Sequence, residues 1–244
     1  MKTLANLRAD VRMFLDEETA GDWTVAQVDS AINYTYHEVV TSVVDVFEDY
    51  YTTTDTFDSV ADQQEYDSTD GLPTDIYKLR RVEINTDPSN SNATPSRALP
   101  IGMDDVYRDL GNTSTSSSRH PSYYLIGSGS GEKIGFIPIP DEAGTDAIKI
   151  WYVQKQTDLT SATDEPVLPY GERYCRLIVW GAVADLLSKG QQEEQASNKY
   201  RSMFEVGLQK LKTELEDRKA DECKGITDTT GLNLDFGEGY GSTI

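Results

Sequence analysis

Cysteine and histidine are scarce, with two of each in 244 residues. Cys175 and Cys223 are too few for a disulfide framework and lack CxxC spacing, so neither a disulfide-stapled scaffold nor a zinc site is indicated, and both are expected as free thiols. With only His37 and His120 available, the base that an activated nucleophile needs is hard to assemble. Long apolar runs are missing too. No stretch approaches the about 20 residues of a membrane span. Arg8, Asp10 and Arg12 interrupt Met1 to Leu15, as no signal-peptide core would allow. A soluble product made in the cytoplasm, without membrane contact, is expected.

Positive charge is the last deficit: 22 Lys and Arg stand against 42 Asp and Glu, a formal charge of -20. Such a field repels polyanions and argues against a nucleic-acid reader, whose affinity comes from neutralising phosphates. Composition leaves three readings of the acidity open: solubility, a surface that DNA slides past without sticking, or a high-salt source.

What is present is the material of a folded chain, 37% apolar, with nine Pro, eighteen Gly and fourteen Tyr. Leu4, Leu7, Val11, Phe14 and Leu15 recur at helical spacing until Gly21 breaks the pattern. Thr24 and Gln27 form a capping-box pair, after which Val25, Val28, Ile32, Thr35, Val39, Val43 and Phe47 continue one stripe of a longer helix. From Tyr50 the texture becomes β: the alternating YYTTTDTFDSV, then Leu72-Pro73 leading into Ile76 to Ile84. Asp87 to Arg97 reads as a loop, Asp104 to Leu110 as a short helix, and Asn112 to Ser118 as a polar tract. Tyr123 to Ile126, Lys133 to Ile139 and Ala147 to Val153 are three strand-like runs, expected as a meander joined by GSGSG and PDEAG.

Helix returns after Pro169. Tyr174 to Leu187 is apolar nearly all round and so should be buried on every side. A last helix carries the stripe Ala196, Tyr200, Phe204, Leu208, Leu211 and Leu215. The chain therefore reads as α+β: a four-helix α bundle made of two N-terminal and two C-terminal helices, with an inserted small β-rich domain and an extended C-terminal tail. The expected divisions are 1–49, 50–160, 161–224 and 225–244.

Chemistry-bearing patterns are thin. Asp104-Asp105, Asp141-Glu142 and Asp164-Glu165 could in principle pair as glycosidase carboxylates. Each falls in a loop or turn, or at the start of a short helix, where Asp serves backbone hydrogen bonds. Gly127, Gly129 and Gly131 lead from strand to strand, whereas phosphate loops need a following helix N-terminus. Lys78, Arg80 and Arg81 lie on a strand and suit acidic neighbours better than DNA. No catalytic residue, cofactor or metal is assigned.

Taken in order, the opening helix pair, LPTDIYKLRRVEI, IGFIPIPDEAGTDAIKIWYV, and EPVLPYGERYCRLIVWGAVADLL leading to KYRSMFEVGLQKLK carry a likeness. From about Leu4 to Leu215 the sequence resembles the head-to-tail adaptor, or connector, proteins of tailed bacteriophages and related archaeal viruses. That resemblance implies a structural subunit, not an enzyme, in the virion neck. It would bind the portal protein, adjacent adaptor subunits and a tail or stopper protein, as a homo-oligomeric ring, usually a dodecamer, through which DNA passes without specific binding. Burial of the all-apolar helix in a heterologous ring interface is expected on the same reading. The nearest alternative is a tail-completion or stopper protein of the neck. From another class, a carbohydrate-binding or carbohydrate-active particle protein would use Trp151 and the tyrosines for stacking on sugars.

In the tail, Leu232, Leu234 and Phe236 alternate with Asn233 and Asp235 and are followed by Tyr240 and Ile244. This is the pattern of an extended strand with one apolar face. Without a sheet of its own, it is expected to dock on a partner, the portal or an adjacent subunit.

Overall fold

The computed structural model describes residues 2–17, 21–90, 93–105, 121–128, 131–189 and 194–219. The first two helices form where the spacing predicts. Helix α1 (Leu4–Phe14) starts at Thr3, whose hydroxyl accepts from Asn6 N, and buries Leu4, Leu7 and Val11. Helix α2 (Val25–Val46) begins with both halves of the Thr24/Gln27 capping box in place. Such a cap stabilises a helix start by about 1 kcal/mol. Arg8 grips both carboxylate oxygens of Asp29, at 2.5 and 2.8 Å, and so ties the two helices together.

Helix α3 (Cys175–Lys189) buries ten of its fifteen residues against α1, α2 and α4 (Glu194–Lys219). Its contacts are close. A methyl group at Gly181 would overlap Thr35 Cγ2 of α2, and one at Gly207 of α4 would overlap Leu177 Cδ2. Tight approach at these glycines lets α1, α2 and α4 cover most of α3 within the subunit itself, more than its all-round apolar pattern suggested. Phe204, Leu211 and Leu215 supply the buried stripe of α4.

Between the helix pairs lie strands β1 (Thr52–Ser59), β2 (Glu65–Tyr66), β3 (Ile76–Ile84), β4 (Ser96–Pro100), β5 (Ser122–Ser128), β6 (Gly131–Ile137) and β7 (Gly144–Gln154). They form one seven-stranded sheet in the order β1-β7-β3-β4-β5-β6-β2, antiparallel except where β4 meets β5. The strand order corrects the expected meander. Strands β5 and β6 do pair as a hairpin, but β7 leaves β6 and inserts between β1 and β3, where its Ile148, Ile150 and Tyr152 join the core of the sheet. Strands β4 and β2 also fall where the sequence suggested loop or gave no signal; Arg97, for example, pairs with Glu83. At two to five residues they are too short to show an alternating pattern. Residues 103–105 are helical, in line with the start of the expected short helix.

The sheet curls. Strands β1 and β2 stand at opposite ends of the order, yet the ring of Tyr66 lies 5.9 Å from that of Phe57 and 5.7 Å from that of Phe136. Phe57, Tyr66, Val82, Phe136, Ile148 and Ile150 share one core inside that curl. A separate core under the helices takes in Tyr51, Val153 and Leu159 from the edge of the β region. The architecture is thus α+β: helices packed together, plus a curled mixed sheet.

Candidate functional site

The residues with chemical potential hold the backbone together. His37 Nε2 sits 2.6 Å from Asp158 Oδ1 on the surface. The carboxylate of Asp164 accepts from the backbone N–H groups of Ser161 (2.7 Å) and Thr160 (2.8 Å), and these bonds hold it below the ordinary Asp value. It closes a turn whose carbonyls then receive Leu4 N and Ala5 N at 2.8 and 3.1 Å, anchoring α1. Burial raises the Cys175 thiol, which keeps it protonated and unreactive. Among the described residues no cluster of His, Cys, Asp and Glu could hold a metal ion. His120 and Cys223 lie outside the described residues.

The basic cluster on β3 meets acids, as its strand position suggested. Lys78 Nζ reaches Glu48 Oε1 at 2.7 Å, while Arg80 bridges Glu48 at 2.5 Å and Asp49 at 2.9 Å. These pairs fasten the sheet to the turn that follows α2. Arg81 pairs with Glu83 and stacks at 5.0 Å over Trp151, whose ring also faces Lys149 at 4.8 Å. With cations over its ring, Trp151 is poorly placed to stack on a sugar.

A different surface lies on the helices. Between α3 and α4 runs a groove of about 510 Å³. Its apolar lining includes Leu177, Trp180, Met203 and Val206, and Val206 is 72% exposed. Gly207 lets the helices approach closely enough to form its floor. Arg173, Arg176 and Lys210 stand along the rim. Arg176 lies 5.5 Å over the Trp180 ring, and Arg173 pairs with Glu214 at 2.9 Å. Among the described residues Lys210 has no ion-pair partner.

Sequence reasoning missed this groove because the residues of its two walls become neighbours only when α3 and α4 pack. A signal was nonetheless present. Met203, Val206, Gly207 and Lys210 follow i, i+3, i+4, i+7 spacing and mark a second face of α4, beside the stripe that enters the core. The expected docking residues Leu232, Leu234, Phe236, Tyr240 and Ile244 all lie outside the described residues.

Two packed bodies with an exposed apolar groove, and polar residues committed to backbone and ion-pair bonds, are features of a protein that works through its surfaces. The class is that of a structural connector. By the match of its family model to residues 2–222, the chain belongs to the SU10 adaptor protein family, a phage head-tail adaptor family. No match to the chain is found among curated proteins. Membership implies binding to neighbouring virion proteins and is consistent with a non-enzymatic role. Among the described residues no helix is long and apolar enough to cross a membrane.

Proposed function

We propose that the protein is the head-to-tail adaptor of a tailed virus, seated in the virion neck beneath the portal as a homo-oligomeric ring, a dodecamer, that joins the DNA-filled head to the tail. The observation that carries this reading is the family match over nearly the whole chain. A helical body of terminal segments with a β region projecting from it suits such a part, since each can meet a different neighbour. The divisions 1–49, 50–160, 161–224 and 225–244 serve as its working units. In this reading the tail residues Leu232, Leu234, Phe236, Tyr240 and Ile244 attach the subunit to the portal or to an adjacent subunit.

The net charge of -20 supports a DNA path that conducts without binding, because like-charged walls offer no deep electrostatic trap to a moving duplex. The test is a mass measurement of the full chain, alone and mixed with the portal protein, together with duplex binding at physiological salt. Ring-sized assemblies on the portal and no retained DNA are the expected result. A chain that stays monomeric on its portal overturns the ring, and retained duplex overturns the conduit.

A further inference from the structure

We propose that the groove between α3 and α4 receives the C-terminal segment, residues 231–244, of a second copy of this chain. This rests on the tail docking proposed above and names its acceptor.

Complementarity of two kinds carries the assignment. After Lys224 the chain has no Lys or Arg but has Asp228, Asp235 and Glu238, and Asp235 sits between the apolar residues Leu234 and Phe236. The groove matches that composition in reverse: an apolar trough of Leu177, Trp180 and Val206 with Arg176 and Lys210 exposed along its rim. In a chain of net charge -20, a cation-rimmed apolar trough is selective for a segment that is both acidic and apolar. The sheet edges fit the segment worse. Edge strand β1 carries Asp55 and Asp58, and the β2 edge carries Glu65 followed by Asp67, so strand addition there would set acid against acid.

Charge also separates a second copy from the chain's own tail. Own-chain docking would require reversal at the end of α4 and passage beside Glu214, Glu216 and Asp217, with Glu214 already taking Arg173 at one end of the groove. A tail from another copy avoids that path by entering from the Ser202 end. Residues 220–231, if extended, span up to about 40 Å, about the length of α4. Each copy then gives a tail and accepts one. Passed on in one direction, that is a heterologous contact, the kind that closes into a ring when the rotation between copies allows.

The experiment uses the full chain with a photo-crosslinking phenylalanine analogue at Phe236, in a mixture of 15N-labelled and unlabelled copies, alone and with portal protein. Crosslinks joining a labelled to an unlabelled copy through either wall of the groove, the peptide containing Arg176 to Trp180 or the one containing Met203 to Lys210, are the expected result. Crosslinks confined within a copy, crosslinks to β1 or to any other segment, or absence of copy-to-copy association in both conditions overturn the inference. Arg176→Glu with Lys210→Glu, both exposed positions, should weaken copy-to-copy association at least about tenfold while the circular-dichroism spectrum stays that of the folded chain. Asp235→Lys with Glu238→Lys should restore it. Unaltered association in the reversed-charge rim variant also overturns the groove. If Phe236 crosslinks to the portal instead, the groove fails while the adaptor function stands; if the groove is filled but no portal complex forms, the adaptor function fails alone.

Discussion

The helical body and the curled sheet solve the same problem differently. In the helical body burial is continuous: α3 is covered by three helices, and approach is limited by Gly181 and Gly207. In the sheet, aromatic rings bridge strands that are far apart in the strand order, as Tyr66 does between Phe57 and Phe136. Helices of one body can be covered by their neighbours alone, whereas a sheet must bend to bury its own face. One region fails through the loss of any close contact, the other through the loss of the few side chains that hold the curl.

The largest break expected is Phe204→Asp, which puts an unpaired charge at a fully buried position of α4. Destabilisation of about 4 kcal/mol or more follows from burying such an ion, read as a lowered midpoint in urea unfolding. Next comes Gly181→Ala, whose methyl group would overlap Thr35 Cγ2 and cost about 1–3 kcal/mol by overpacking. Combined with Thr35→Ser, which removes that methyl group, most of the loss should return. If the double variant is no better than the single, the contact between α2 and α3 is not what limits packing.

In the sheet, the Tyr66 hydroxyl accepts from Val60 N at 3.1 Å and lies 3.2 Å from Val60 O. Tyr66→Phe keeps the ring and should cost about 1 kcal/mol. Equal losses for Tyr66→Phe and Tyr66→Ala would show that the hydroxyl, and not the ring, holds the curl. The smallest effect concerns pH. Asp164 is held below its ordinary value of 3.8, so its contribution is present above that pH and fades as pH falls through the lowered value. Asp164→Asn should therefore lower stability slightly at neutrality, make the further loss on acidification below pH 3.8 shallower, and leave the two proteins alike in strong acid, as followed by circular dichroism.

Much of this was legible in the residues. Thr24 and Gln27 announced the start of α2, and the strand Ile76–Ile84 has the bounds its β-branched and aromatic pattern suggested. Pairing was not legible. Nothing local tells β7 to lie between β1 and β3, because that choice depends on which faces remain uncovered once every strand is present. Asp164, read as a residue serving backbone hydrogen bonds in a turn, does so. The groove escaped because Trp180 and Val206 become neighbours only when two helices pack.

The segment from Leu159 to Leu168 has a bearing on synthesis. Asn33 exchanges two hydrogen bonds with Leu159, 126 residues away, and Val167 is held from both sides, its N–H by the Tyr36 hydroxyl and its carbonyl by that of Tyr51, at separations of 131 and 116. Helices α1 and α2 therefore leave the ribosome with Leu7, Ile32 and Val39 still lacking the cover that α3 supplies. Every strand of the sheet is translated before that cover arrives. Closing so long a loop is slow compared with local pairing. The order of translation thus makes the sheet the part that can mature first, with the two ends of the chain meeting last around it.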